Sequence, residues 1–264
     1  IYPHDFLVYL PFEALRSPDT NQYLVQDKRI IYLHSILGGK NLNAIAQGHS
    51  EWYPRNAAVF ANPTVNDRKL ANLPYAENEG KAIKTSFPKG PFFIRTEATE
   101  DALQENWGRY DIVHIAAHGD TTPQGARLFL APSDDPPLDG ELTRVDISGL
   151  PSNRHTQLVV LSACESALDV KLRNIEVNDP VASLGLTGLV HVFAKYHRVQ
   201  SRIGSLWKVN DPGTASLMRE MYKQMAPGRG TAPYDAFRAA QLAMIETAQH
   251  PYFWSGFVYF GVPR

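Results

Sequence analysis

The chain has 264 residues, 44% of them apolar and 20% charged, a balance typical of a folded globular protein. Its 26 basic and 27 acidic residues give a formal net charge of -1 without a long run of either sign, which disfavours direct binding of nucleic acid or an anionic membrane. No apolar stretch approaches the roughly 20 residues that a membrane-spanning helix needs.

The N-terminus lacks the pattern of a signal peptide, and a single cysteine excludes an intrachain disulfide framework and suits a reducing compartment. We therefore expect a cytoplasmic protein. Because the sequence does not begin with Met, we also expect it to be a piece of a longer chain.

Residues 1–55 are predicted to form a strand-rich N-terminal part. β-prone runs at 6–10 and 29–33 flank a Pro-Phe-Glu turn and predict a β-hairpin, and a polar loop continues to about residue 54.

Strands and helices alternate through the second part, residues 56–264, which we predict to be the core domain. Apolar, β-rich runs predict strands at 57–61, 92–94, 127–131, 201–207 and 257–260, and within 111–119 and 158–166. Helices are predicted at 76–87, from an N-cap at Thr99, and at 180–197, 212–225 and 232–248. This alternation predicts an α/β fold with a mostly parallel sheet covered on both faces.

Two of these strands end in residues that can carry chemistry. One segment reads Asp-Ile-Val-His-Ile-Ala-Ala-His-Gly and ends at His118 and Gly119, and the other reads Leu-Val-Val-Leu-Ser-Ala-Cys-Glu-Ser and contains Cys164. Parallel strands present their carboxyl ends to one crevice, where open α/β sheets bind ligands. Neighbouring strands would therefore bring together a thiol nucleophile and an imidazole base.

Less specific interpretations exist for the same residues. A lone cysteine is more often a small buried apolar residue than a nucleophile, and most of the nine histidines should be structural or solvated. We interpret His114 as a hydrogen-bonded core residue. No zinc-ligand spacing and no nucleotide-binding glycine pattern occurs, so we expect neither a metal nor a cofactor.

The sequence resembles the CHAT domain, a caspase-like peptidase domain of the cysteine-protease clan that includes caspases, separase and gingipains. The resemblance covers nearly the whole chain and rests on these segments: 9–15, 73–77, 98–100, 114–119, 159–165, 205–211, 239–243 and 250–254. It implies a caspase-like three-layer αβα sandwich with a mostly parallel central sheet, which the N-terminal β-hairpin region precedes.

The resemblance also implies roles for individual residues. His118 and Cys164 would form the catalytic dyad, and the N–H groups of Gly119 and Cys164 would hold the oxyanion. The strand expected to pair with the substrate backbone ends in three residues: Ser205, Leu206 and Trp207.

Two carboxylates are candidates for the pocket that binds the residue before the cut. Asp179 and Asp211 would favour Arg or Lys there, but each precedes a proline that can open a helix. Helix capping is therefore the favoured role for both.

The leading hypothesis is a cysteine endopeptidase that cleaves a protein or peptide substrate. The resemblance further implies the effector part of a bacterial regulation or defence protein, with an attached or associated sensor region such as helical repeats. The alternatives are a catalytically inactive interaction module of the same fold and a cysteine hydrolase of small amides.

Overall fold

The structure, a computed structural model, describes residues 1–3, 5–33, 53–65, 70–122, 125–133, 138–153, 155–163, 188–207 and 211–261. The strands of this part of the chain are β1 Ala57–Pro63, β2 Phe92–Arg95, β3 Ile112–Ala116, β4 His118–Thr122, β5 Gly125–Phe129, β6 Glu141–Leu142, β7 Leu158–Ser162, β8 Ser201–Ser205 and β9 Phe257–Gly261. The α-helices are α1 Leu24–Asp27, α2 Pro74–Ser86, α3 Glu100–Asn106, α4 Arg144–Gly149, α5 Leu189–His197, α6 Asp211–Met225 and α7 Pro233–Glu246. Short 3₁₀ helices occupy Asp5–Tyr9, Phe12–Ala14 and Pro251–Phe253.

Six strands form the central sheet in the order β2-β1-β3-β7-β8-β9. Neighbours from β2 to β8 are parallel, and β9 is antiparallel to β8. Every residue of β1, β3 and β7 is buried, as expected for strands covered on both faces. The parallel strands therefore end at one common edge of the sheet.

Two groups of helices flank this sheet. Helix α6 packs against both α2 and α7, and α4 packs against α5. Helix α2 buries Ala76, Gly80 and Ile83, the face that its residue spacing predicts. The prediction of an α/β fold with a mostly parallel sheet is confirmed.

The helix predictions at 76–87, after Thr99, at 212–225 and at 232–248 are confirmed with small shifts at the ends. The Thr99 side chain caps α3 as expected, since its Oγ1 accepts a hydrogen bond from the Ala102 N–H at 3.1 Å. The prediction of one helix over 180–197 is wrong in its extent: α5 begins at Leu189, and Gly188 before it is the N-cap, with a non-helical ψ of 175°. Residues 180–187 lie outside the described part of the chain. Among the described residues, no helix combines the length and the apolar character that crossing a membrane requires.

A second, three-stranded antiparallel sheet, β4-β5-β6, follows the central strand β3. The residue pattern predicts a single histidine-bearing strand within 111–119, but β3 ends at Ala116 and His118 begins β4. Strand β4 was not predicted, because its residues are mostly small or polar. The predicted strand at 127–131 is observed two residues earlier, as β5.

The predicted N-terminal hairpin is wrong. Residues 6–10 fall in the Asp5–Tyr9 3₁₀ helix and its end, and of the second run only Tyr32 enters a β-bridge, which it makes with Phe260 of β9. The Tyr32 N–H donates to the Tyr259 carbonyl at 2.9 Å. β-propensity depends on an available partner edge, and this segment uses the edge of the central sheet instead of pairing with residues 6–10.

Candidate active site

The site is built where the parallel strands end. Ala116, the last residue of β3, pairs with Ser162, the last residue of β7. His118 comes two residues after the first, and Cys164 comes two residues after the second. Cys164 itself lies outside the described residues, as does Asp179.

His118 is the first residue of β4 and is partly exposed at this edge. Its Nε2 lies 2.7 Å from the Ala71 carbonyl oxygen. A carbonyl can only accept, so Nε2 carries the proton, and Nδ1 is the acceptor of the neutral ring. Among the described residues, Nδ1 has no hydrogen-bond partner, which leaves it able to take a proton from a neighbouring group.

A surface cleft of about 360 Å³ opens beside this imidazole. Residues from two segments of chain line it together with His118: Pro63, Thr64, Val65, Leu70, Ala71 and Asn72. One wall is the end of β1 and the other is residues 70–73, which lead into α2 and which we call the strap.

Sequence reasoning missed the residues that support His118. Ala71 acts through its backbone carbonyl, which no side-chain pattern can reveal. Asn62, one residue past the strand predicted at 57–61, accepts a hydrogen bond from the strap at the end of β1. A polar residue directly after a buried strand, at the edge that carries the site, was the available signal.

Gly119 lies in β4, opposite Leu128 of β5. Its backbone is extended and continues the strand, so the chain makes no sharp turn there. Its predicted role in binding the oxyanion stays a prediction.

The three residues expected to contact the substrate differ in their exposure. Ser205 and Leu206 are buried, and the Leu206 N–H donates to the Gly256 carbonyl at 2.8 Å. Strand β8 is paired on both sides, by β7 and β9. Trp207, just past the strand, is partly buried and stacks on Tyr252 with ring centroids 6.0 Å apart. Of the three, Trp207 is therefore the one with surface available to a ligand.

Ser205 contributes in another way. Its Oγ donates to the carbonyl of Ala163, the residue before Cys164. This contact ties the end of β7 to β8 at the point where the cysteine segment leaves the sheet.

Asp211 begins α6, the helix that follows β8 in the described chain. Its side chain lies outside the described part, so both its capping role and its pocket role stay predictions. Within the described residues, no group of three His, Cys, Asp or Glu side chains is placed to hold a metal ion.

A second polar cluster, the core cluster, lies beneath the site. His114 in β3 is fully buried, with Nδ1 2.9 Å from the Tyr222 hydroxyl and Nε2 2.8 Å from Glu79 Oε1. The Tyr222 pKa is raised well above its ordinary value by burial and by the nearby Glu79 carboxylate. The prediction that His114 is a hydrogen-bonded core residue is confirmed.

Solved structures with the same fold include two groups of cysteine peptidases. Separase, in the Saccharomyces cerevisiae separase–securin complex, aligns over 97% of this chain with a TM-score of 0.61 and 15% identity. RgpB, in the Porphyromonas gingivalis complex of pro- and mature domains, aligns over 81% with a TM-score of 0.51 and 11% identity. The Arg-specific cysteine proteinase gingipain R aligns over 81%, with a TM-score of 0.51 and 12% identity.

These relatives are longer proteins. The aligned region spans 15% of the separase chain and 48% of each gingipain chain. At these identities the likeness concerns the fold. No curated protein matches the sequence.

The family itself follows from the sequence match. The model of the CHAT domain matches residues 1–262, nearly the whole chain. The chain therefore belongs to the CHAT domain family and has a caspase-like cysteine peptidase fold.

Proposed function

We propose that this chain is a cysteine endopeptidase in which Cys164 is the nucleophile and His118 is the general base. The observation that carries the proposal is the pairing of Ala116 with Ser162 at the ends of β3 and β7. Neighbouring strands are about 4.8 Å apart, and each proposed catalytic residue lies two positions beyond that pair. Two residues of chain can reach about 7 Å, so the two side chains can meet without rearranging the sheet.

The orientation of His118 supports the same assignment. Because Nε2 donates to the Ala71 carbonyl, the neutral ring offers Nδ1 as its acceptor. In our mechanism Nδ1 takes the proton from Cys164 Sγ, and the resulting thiolate attacks the peptide carbonyl carbon. The N–H groups of Gly119 and Cys164 would stabilise the oxyanion.

The remaining steps use the same two residues. The protonated His118 gives its proton to the leaving amine as the peptide C–N bond breaks, which leaves a thioester on Cys164. The imidazole then takes a proton from water, and the hydroxide displaces the thiolate to release the acid product. We propose that Trp207 lies beside the substrate backbone, with the buried Ser205 and Leu206 supporting it at the end of β8.

We further propose that the substrate is a protein and that a partner or an attached sensor region, such as helical repeats, controls cleavage in bacterial regulation or defence. The separase structure is a complex with securin, and one RgpB structure is a complex of pro- and mature domains. In each of these structures the peptidase is in complex with a further protein or domain. A thiol that must stay reduced suits the cytoplasm.

The test compares the wild type with Cys164→Ala and His118→Ala on a peptide library. Each substitution should lower kcat/KM at least about a thousandfold, since each removes a group that acts in the chemical step. Circular dichroism should show both variants folded. Cleavage that persists in Cys164→Ala would refute the proposal.

The alternatives give different outcomes in the same experiment. A folded wild type that cleaves neither peptides nor small amides would indicate an interaction module. Hydrolysis of small amides alone, lost in Cys164→Ala, would indicate a small-molecule hydrolase.

A further inference from the structure

The strap that orients His118 is itself held from one direction by a buried side chain. Asn62 is 3% exposed and lies at the end of β1. Its Oδ1 accepts the Leu73 N–H at 2.8 Å. Leu73 closes the strap and immediately precedes α2, so this bond fixes the short segment whose Ala71 carbonyl accepts the hydrogen bond from His118 Nε2.

The backbone at Asn62 has the geometry of a bulge that redirects a side chain. The register between β1 and β2 shifts between Ala61 and Pro63, and Asn62 adopts a φ of 49°, in the left-handed region. Asparagine tolerates this region better than most residues. Bulges beside active sites commonly re-aim a side chain in this way.

The other end of the Asn62 amide is also bound. Its Nδ2 donates to Glu77 Oε2 at 3.3 Å. Glu77 is held in turn by Lys81 at 2.8 Å and by Arg95, whose Nε and Nη2 lie 3.2 and 3.1 Å from Oε2. The carboxylate requires a donor and the Leu73 N–H requires an acceptor, so an amide satisfies both while an acid or a hydrocarbon satisfies at most one.

We infer that Asn62 is a positioning residue for His118, acting through the Leu73 N–H and the Ala71 carbonyl. The inference rests on the proposed function and extends it to a residue outside the dyad. Asn62 holds the strap so that Nε2 keeps its proton and Nδ1 faces the nucleophile. The hydrogen bond from Nδ2 to Glu77 fixes the orientation of the Asn62 side-chain amide.

The expected loss of activity follows from the displacement of the His118 ring. Without the amide, the strap loses its anchor at Leu73 and the Ala71 carbonyl no longer holds the ring in one orientation. A misplacement of about 1 Å in a catalytic group can cost about a hundredfold in rate. We therefore expect kcat to fall about 10- to 100-fold with KM little changed, because the base and not the substrate is displaced.

The test substitution is Asn62→Gly. Glycine adopts a φ of 49° without strain, so it keeps the bulge and deletes only the amide. The matched control is Asn21→Gly, because Asn21 also has a left-handed φ, 57°, and uses its Oδ1 to bind Arg16 at the surface. The control should leave every reading at the wild-type value.

Two readings are needed, and one does not depend on peptide cleavage. The first is the split of kcat and KM on a cleaved peptide. The second is the alkylation rate of Cys164 against pH, which has no background because the chain has a single cysteine. In the wild type, the alkylation rate should level off at a pH well below 8.5, which is about the pKa of a free thiol. In Asn62→Gly, it should level off at a higher pH.

The outcomes separate the two proposals. An alkylation profile in the wild type that His118→Ala leaves unchanged would overturn the dyad and, with it, the role of Asn62. A profile that depends on His118 but is the same in Asn62→Gly would overturn this inference alone. A lower melting temperature with an unchanged profile in the folded protein would mean that Asn62 is structural only.

If Asn62→Gly fails to fold, the inference can be tested by exchanging the Asn62 amide and the Glu77 carboxylate. Asn62→Asp places two carboxylates face to face and should slow both cleavage and alkylation at neutral pH. Adding Glu77→Gln places an amide N–H donor opposite the new carboxylate at position 62. The double variant should regain at least a third of the loss in log rate for both cleavage and alkylation. No recovery in the double variant would contradict the inference.

Discussion

Two polar clusters are built from the same two parts of the chain and differ in where they lie. Glu79 and His114 belong to the core cluster, whereas Glu77 and His118, from the same helix and the following strand, lie at the cleft. In the core, Nδ1 of the histidine is hydrogen-bonded to Tyr222, and Nε2 lies 2.8 Å from the buried Glu79 carboxylate. At the cleft, Nε2 of His118 binds a backbone carbonyl, and Nδ1 has no hydrogen-bond partner among the described residues. A fully buried histidine between two polar side chains stabilises the fold, whereas a partly exposed ring with an unpartnered nitrogen is available for proton transfer.

The largest expected difference concerns the free energy of unfolding. His114→Leu should destabilise the protein by about 3–5 kcal/mol, because it leaves Glu79 and Tyr222 buried without their partner. His118→Ala should change the same quantity by less than about 1 kcal/mol, since its ring is partly exposed. Urea unfolding of both variants measures the contrast. Equal losses would show that the two histidines share a structural role.

A smaller effect should follow from removing one hydroxyl of the core cluster. Tyr222→Phe deprives His114 Nδ1 of its partner at 2.9 Å and should cost about 1–3 kcal/mol. Tyr75→Phe is the control, because Tyr75 is exposed at the start of α2, and it should stay within about 0.5 kcal/mol of the wild type. If both substitutions cost the same in urea, the buried hydrogen bond does not stabilise the fold.

The smallest effect should appear at acid pH. Hydrogen bonds from Lys81, Arg95 and Asn62 lower the pKa of Glu77 from 4.5 to about 2. The charged carboxylate therefore stabilises the folded state above pH 4.5, and this stability is lost as the pH falls from 4.5 towards 2.

Glu77→Gln should accordingly lose less stability than the wild type over that interval. The difference should not exceed about 1 kcal/mol, because Lys81 and Arg95 are largely exposed and solvent screens the pairs. Urea midpoints at pH 6 and pH 3 measure it. Identical acid sensitivity in the two proteins would mean that the Glu77 ion pairs contribute nothing to stability.

The sequence predicted the fold where local chemistry is strong. The apolar runs of β1, β3 and β7 are buried on both sides only in a sheet covered on both faces. Thr99 predicted a helix start because its hydroxyl can accept a free N–H of the first turn. The prediction was wrong for residues 6–10, where a similar run forms a 3₁₀ helix and its end.

For the candidate site too, some features can be predicted from the sequence and others depend on the tertiary structure. The sequence by itself determined that His118 and Cys164 come at the ends of two apolar runs, because a change from apolar to small and polar residues marks the end of a buried strand. Only the tertiary structure decided that those strands are neighbours in register, and that the strap brings the Ala71 carbonyl to His118 across 47 residues of chain. A backbone carbonyl is the same at every position, so its role depends on where the fold carries it, and that is decided by packing between distant segments.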